Sequence, residues 1–151
     1  MSGYLLDTHT VLWAFEGDSD LSRRAGRLIE DPANDVVISI VAYWELQIKQ
    51  TIGKLRVAAG YNDRLWEWFD AGGFKRLGLQ RSHCDRYRVL PLHHRDPFDR
   101  MLIAQAQRRG ILDSNRRSAI QKLRRESRLV KQPVAGIADP ARLVKRLIVG
   151  T

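Results

Sequence analysis

Two short apolar runs, each followed at once by a helical pattern, constrain the fold of this chain more than any other feature. Residues 4–6 read YLL, and residues 36–41 read VVISIV, in which Ser39 is the only polar residue. A strand without alternation of polar and apolar residues is typical of parallel strands that are covered on both faces. The second run is therefore predicted to be a central strand of a parallel sheet.

Helical patterns fill the segments between and after these runs. Apolar residues recur at three-to-four spacing just after the first run, and Ser22 is a suitable N-cap for a second helix. Further helices are predicted over residues 42–51 and 62–71 and from Pro97 to just before Gly110. A short strand is predicted over residues 74–79 and a helical turn over residues 82–88. The alternation predicts an α/β fold in which a small parallel sheet is flanked by helices on both faces.

The length of 151 residues corresponds to about one ordinary domain. The chain has no run of about 18 apolar residues, the minimum for a membrane helix. Asp7 interrupts the stretch where a secretory signal would be continuously apolar. We therefore expect a cytoplasmic protein with no membrane association.

The positive charge of the chain is concentrated near its C-terminus. Residues 1–107 contain 14 Lys and Arg and 14 Asp and Glu, whereas the remaining 44 residues contain 12 basic and 3 acidic ones, which accounts for the net charge of +9. We expect a domain core over residues 1–110 and a basic, helical segment over residues 111–151. This segment would bind a phosphate backbone or form a solvated helical surface, and both interpretations stay open.

Acidic residues from three distant segments are predicted to meet at one edge of the sheet. Asp7 directly follows the first strand, Glu45 lies near the start of the helix after the second, and Asp96 and Asp99 open the helix that begins at Pro97. In open α/β sheets, ligands bind beyond the carboxyl ends of the strands. Taken singly, Asp7 and Asp96 are also good helix caps, and Asp99 suits the positive end of a helix dipole.

Clustered carboxylates repel one another unless a cation lies between them. Oxygen ligands without paired cysteines favour hard ions such as Mg²⁺ or Mn²⁺. Such an ion activates water for attack on a phosphodiester. The pattern therefore predicts a nuclease site without a nucleophilic side chain.

Three phrases identify a family resemblance: LLDTHTVLW, ISIVAYWELQIKQTIGKL and LPLHHRDPFDRMLIAQA. In this order and spacing, the chain resembles the PIN-domain ribonucleases of the VapC type, the toxins of bacterial toxin-antitoxin pairs. The resemblance implies an endoribonuclease that uses Mg²⁺ or Mn²⁺ and cleaves RNA, such as transfer RNA. A cognate antitoxin and a second copy of the chain are the partners that it implies.

The same resemblance assigns roles to single residues. Asp7, Glu45 and Asp99 correspond to the metal-binding acids of the family, and Asp96 to a supporting acid. Thr8 matches the threonine of the family's Asp-Thr pair, and it is expected to orient Asp7 through a hydrogen bond.

The sequence departs from the family pattern after Gly110. Family members have an apolar strand there, followed by a fourth acid, whereas this chain has only Ile111 and Leu112 before Asp113. Asp113 or Asn115 stands where that acid is expected, and Asp139 is too remote to place. An alternative function is therefore a catalytically inactive PIN-like module that binds RNA or another protein.

The four tryptophans are expected in the core or in a partner interface, because they share helical stripes with other apolar residues. Trp68 and Phe69 are candidates for a groove that receives an antitoxin helix.

Overall fold

The computed structural model describes residues 3–93 and 95–110, which form three strands and six helices. In chain order these are β1 (Gly3–Leu6), α1 (Thr8–Glu16), α2 (Arg23–Glu30), β2 (Asp35–Ser39), α3 (Ile40–Thr51), α4 (Tyr61–Ala71), β3 (Lys75–Leu77), α5 (Arg81–Arg88) and α6 (Pro97–Arg108). The basic segment 111–151 lies outside the described residues. Within the described part, no helix is both long and apolar enough to cross a membrane.

The three strands form one parallel sheet in the order β1-β2-β3. β2 is thus the central strand of the described sheet, as its apolar sequence predicted. The register pairs Leu6 with Ile38 and Ser39 with Leu77, so the three strands end at the same edge. The residues that follow β1 and β2 therefore leave the sheet side by side.

Both faces of the sheet are covered by helices, which confirms the predicted architecture. Leu5 and Val37 point to one face, where they pack with Leu102 and Ala106 of α6. Leu6 and Ile38, the next residues along each strand, point to the opposite face. The core on that side comes from α1, α2, α3 and α4, and includes Val11, Phe15, Ile29, Leu46, Leu65 and Phe69.

The predicted strand over residues 36–41 ends two residues early. Ser39 is the N-cap of α3, and its Oγ accepts a hydrogen bond from the backbone N–H of Val41 at 3.0 Å. Ile40 and Val41 are therefore helical in spite of their β-branched side chains, because the serine cap starts the helix. The strand predicted over residues 74–79 is likewise shorter and spans Lys75–Leu77.

The tryptophans divide between the core and the surface. Trp68 and Phe69 are almost fully buried in the core, so the prediction that they line a groove is wrong. Trp44 is 58% exposed, because the opposite side of α3 faces the core through Ala42 and Leu46.

A chain of side-chain hydrogen bonds joins the sheet to α6. Ser39 Oγ donates to Gln105 Oε1 at 2.6 Å, and Gln105 Nε2 donates to the carbonyl of Gly78 at 3.3 Å. Ser39 and Gln105 are both buried. A buried polar atom without a hydrogen-bond partner destabilises the fold. These hydrogen bonds therefore fix the position of α6 against the ends of β2 and β3.

We expect Ser39→Ala to lower the free energy of unfolding by roughly 2–3 kcal/mol, since it removes a helix cap and leaves the buried Gln105 oxygen without its donor. Ser22→Ala is the matched control, because Ser22 Oγ also caps a helix by accepting from the N–H of Ala25 at 3.1 Å. Its expected loss is about 1 kcal/mol. Urea unfolding measures both values, and equal losses would contradict the role of the Ser39–Gln105 bond.

α5 and α6 pack against each other in antiparallel directions. The guanidinium of Arg100 donates to the backbone carbonyls of Tyr87, Leu90 and Pro91 at the end of α5. It also lies over the Tyr87 ring, 4.7 Å from the ring centroid. These carbonyls lie in the last turn of α5 and in the turn that follows it, so Arg100 holds that turn in place.

His83 fastens the start of α5. It is buried, and its Nδ1 accepts a hydrogen bond from the backbone N–H of Gln80 at 3.1 Å. Burial, followed by the positive charges of Arg108 and Arg109, lowers the pKa of His83 below its ordinary value. The folded protein therefore favours neutral imidazole, the form that accepts this hydrogen bond.

The stability should consequently fall in mildly acidic solution. The folded-state pKa of His83 is lowered. Its contribution to the free energy of unfolding is therefore complete above the unfolded pKa of about 6.5, and it is lost as the pH falls through the folded-state pKa. We expect wild type to lose more stability between about pH 7.5 and pH 5.5 than His83→Asn, which keeps an acceptor but does not titrate. Thermal melting across this range measures the difference, and parallel curves would contradict it.

Candidate active site at the carboxyl edge of the sheet

Asp7 stands where β1 passes into α1. It is the N-cap of α1, and its Oδ1 accepts a hydrogen bond from the backbone N–H of Thr10 at 2.8 Å. The carboxylate is only 2% exposed. The capping role that the sequence allowed for Asp7 is therefore present, and it places a buried acid at the edge where the strands end.

Thr8 connects this position to α3. Its Oγ1 donates a hydrogen bond to Glu45 Oε2, and both residues are buried. Since a threonine hydroxyl carries one proton, the hydrogen bond that was expected to orient Asp7 is made to Glu45 instead. Thr8, which follows Asp7 in the sequence, is thereby hydrogen-bonded to Glu45 of α3.

Lys49 supplies a positive charge beside Glu45. Its Nζ lies 2.7 Å from Glu45 Oε1, one helical turn further along α3. Both oxygens of the glutamate thus have partners, one neutral and one cationic. A buried carboxylate needs such partners, because removing an isolated charge from water is very unfavourable.

The third group of predicted acids opens α6. Asp96 is the exposed N-cap, and its Oδ1 accepts from the backbone N–H groups of Phe98 and Asp99 at 2.8 and 3.2 Å. Asp99 is half-buried in the first turn. The rings of Phe98 and Trp44 meet edge to face at 5.4 Å between centroids, so α6 begins beside the part of α3 that carries Glu45.

The predicted metal ligands are brought together only in part. Within residues 3–93 and 95–110, no three or more His, Cys, Asp or Glu side chains form a group that could hold a metal ion, so Asp7, Glu45 and Asp99 do not form one. Mg²⁺ is often bound by one or two carboxylates, with water and substrate phosphates completing its coordination. Asp7 and Glu45 supply carboxylate oxygens, which is the ligand type that such an ion takes.

The residues proposed for the fourth acid lie outside the described part of the chain. These are Asp113, Asn115 and Asp139.

Two residues of this region were not predicted to contribute to the site. Lys49 follows Glu45 by four positions, the spacing at which opposite charges pair on a helix. Ser39 is the single polar residue of an apolar run, and a serine directly before a helical stripe is also a strong capping signal. Both signals were local and could have been read from the sequence.

The fold and the site define a class of protein. A parallel α/β sheet with buried carboxylates beyond the carboxyl ends of its strands has the position and chemistry of a ligand site of such folds. The chain belongs to the PIN domain family, whose sequence model matches residues 4–126. PIN domains are generally nucleases that use divalent metal ions. No curated protein and no solved structure matches the chain significantly.

Thr8→Val should destabilise the fold, because it removes the hydroxyl that donates to the buried Glu45 carboxylate while keeping the shape of the side chain. We expect a loss of roughly 1–3 kcal/mol in the free energy of unfolding, measured by urea denaturation.

Thr51→Val is the matched control. The Thr51 hydroxyl is exposed and donates to the carbonyl of Gln47 at 3.0 Å, so its removal should change stability by no more than about 0.5 kcal/mol. Equal effects of the two substitutions would show that the Thr8–Glu45 bond contributes nothing.

Proposed function

We propose that this PIN domain is an endoribonuclease of the VapC toxin type that depends on Mg²⁺ or Mn²⁺ and cleaves RNA phosphodiester bonds with metal-activated water. The observation that carries the proposal is the pair of buried carboxylates, Asp7 and Glu45, held through Thr8 at the carboxyl edge of the sheet. Buried acids beyond the carboxyl ends of parallel strands have the position of a ligand site in such folds.

In this proposal, Asp7 and Glu45 hold the cation, and Asp99 is the third acid by resemblance to the VapC family. The cation, when bound, lowers the pKa of a water molecule and offsets the charge that develops on the phosphate. Thr8 holds the glutamate in its orientation, and such outer contacts are important for metal affinity. Asp96 supports the site by capping α6, which fixes the turn that carries Asp99.

Lys49 has a role of its own in the proposed site. Its ammonium group reduces the repulsion between the acids when no metal is present. Because a cation at Glu45 would lie near this ammonium group, the lysine also weakens metal binding.

The partners follow from the VapC resemblance and are part of the proposal. They are a cognate antitoxin, a second copy of the chain, and a structured RNA such as transfer RNA, in the cytoplasm. Large apolar side chains on the outer side of α3 support a protein-protein contact: Ile40, Trp44 and Ile52 are each more than 40% exposed.

A second candidate function is a catalytically inactive PIN module that binds RNA or a protein. Two observations favour it: the described acids do not form a group of three, and both oxygens of Glu45 already have partners within the chain. Binding to RNA without cleavage would be its signature.

Asp7→Asn separates the two candidates. We expect the purified protein to cleave RNA with Mg²⁺ or Mn²⁺, and cleavage to stop when a chelator is added. Asp7→Asn should cleave RNA no faster than the wild type does in the presence of chelator. The variant should keep its fold, because asparagine caps helices as well as aspartate does. Divalent metal should raise the melting temperature of the wild type but not of Asp7→Asn, since only the folded acids bind it.

Asp63→Asn is the control, because Asp63 is an exposed acid in the first turn of α4, a helix that supplies none of the proposed ligands. It should cleave RNA and respond to metal like the wild type. Cleavage by Asp7→Asn at the wild-type rate would overturn the nuclease assignment. A wild type that binds RNA without cleaving it would favour the inactive module.

A further inference from the structure

The helix pair α5 and α6 carries the positive charge of the described fold. Residues 81–110 contain seven arginines and three aspartates, whereas residues 1–80 contain nine basic and eleven acidic side chains. The net charges are therefore +4 and −2. This asymmetry arises within the folded domain and is separate from the basic segment after Gly110.

Three of these arginines gather around the last turn of α6. Arg86 donates from Nε to Gln107 Oε1, which places it beside that turn. Arg108 and Arg109 are exposed, and both lie close enough to His83 to lower its pKa. We refer to Arg86, Arg108 and Arg109 as the arginine cluster.

Like charges near one another repel, and a bound anion would offset that repulsion. Guanidinium groups bind phosphate through two parallel hydrogen bonds, a geometry that lysine does not offer. A simpler role exists for Arg86 and Arg108, because each lies in the last turn of its own helix, where a basic side chain interacts favourably with the helix dipole. That role does not require the last turn of α6 to have Arg86 beside it and Arg109 one residue further on.

The cluster lies at the opposite end of α6 from the acids. α6 has 12 residues and is therefore about 18 Å long, with Asp96 and Asp99 at its start and Arg108 at its end. A ligand that contacts both ends must be an extended polyanion. A single nucleotide would reach only one of them.

We propose that the arginine cluster is a second RNA-binding surface, which holds phosphate groups of the substrate several nucleotides away from the bond that is cleaved. This rests on the proposed function in taking RNA as the ligand. It also narrows the substrate class, because the site would favour long or folded RNA over short oligonucleotides.

The double variant Arg108→Gln/Arg109→Gln tests the cluster, with a transfer RNA transcript as the probe and a chelator present so that no cleavage occurs. Fluorescence anisotropy at several salt concentrations gives the affinity and its salt dependence. We expect weaker binding than in the wild type. The slope of log affinity against log salt should be smaller by about 0.7 to 0.9 for each phosphate that the variant no longer neutralises.

Arg23→Gln/Arg27→Gln is the matched control, since it removes two exposed arginines from α2, a helix that packs on the opposite face of the sheet. It should bind the transcript with nearly the wild-type affinity and slope. Thermal melting checks that both double variants are folded, and the single variant Arg109→Gln replaces the first if it is not.

The outcomes separate this proposal from the nuclease assignment. If the two double variants bind RNA equally well, or if the wild type does not bind the transcript, the arginine cluster is not an RNA-binding surface. If cleavage by the wild type is normal while the cluster variant binds like the control, only the second surface fails. If the wild type never cleaves RNA and the cluster variant binds RNA more weakly, the second RNA-binding surface is supported and the nuclease assignment is overturned.

Discussion

The burial of β2 on both faces determines the arrangement of the other elements. Val37 packs toward α6 and Ile38 toward the opposite layer, so neither face of the strand is left for solvent. Because β1 and β3 are both parallel to β2, all three strands end at one edge of the described sheet. The chain must turn there after every strand, and helix caps such as Ser39 and Asp7 satisfy the backbone at these turns.

The same caps make the site possible. Asp7 contributes to folding by starting α1, and Thr8 contributes by pairing with the buried Glu45. In the proposed nuclease, the acids of the site are thus groups that the fold already holds in place, which would keep the reorganisation needed for metal binding small. Lys49 limits the electrostatic cost of this arrangement, since a buried carboxylate with a cationic partner is far less unfavourable than an isolated one.

Much of the fold could be predicted from the sequence, because hydrophobic periodicity and capping signals are local. The central position of β2 follows from one apolar run, and the helices that begin near Asn62 and at Pro97 follow from their apolar stripes and end signals. Contacts between distant side chains could not be predicted in this way. No pattern within one segment indicates that Thr8 bonds Glu45, or that Trp44 meets Phe98. The site was therefore predicted as a set of residues, and its geometry was not.

The amide of Gln105 accepts from Ser39, the last residue of β2, and donates to the carbonyl of Gly78, the residue after β3. Its two ends are chemically different, so only one orientation of the side chain satisfies both neighbours. Positions 39 and 105 are distant in sequence but are constrained as one unit. Among homologues of this protein, a replacement at either position should persist only alongside a compensating replacement at the other. The two positions should therefore vary together in an alignment of those homologues.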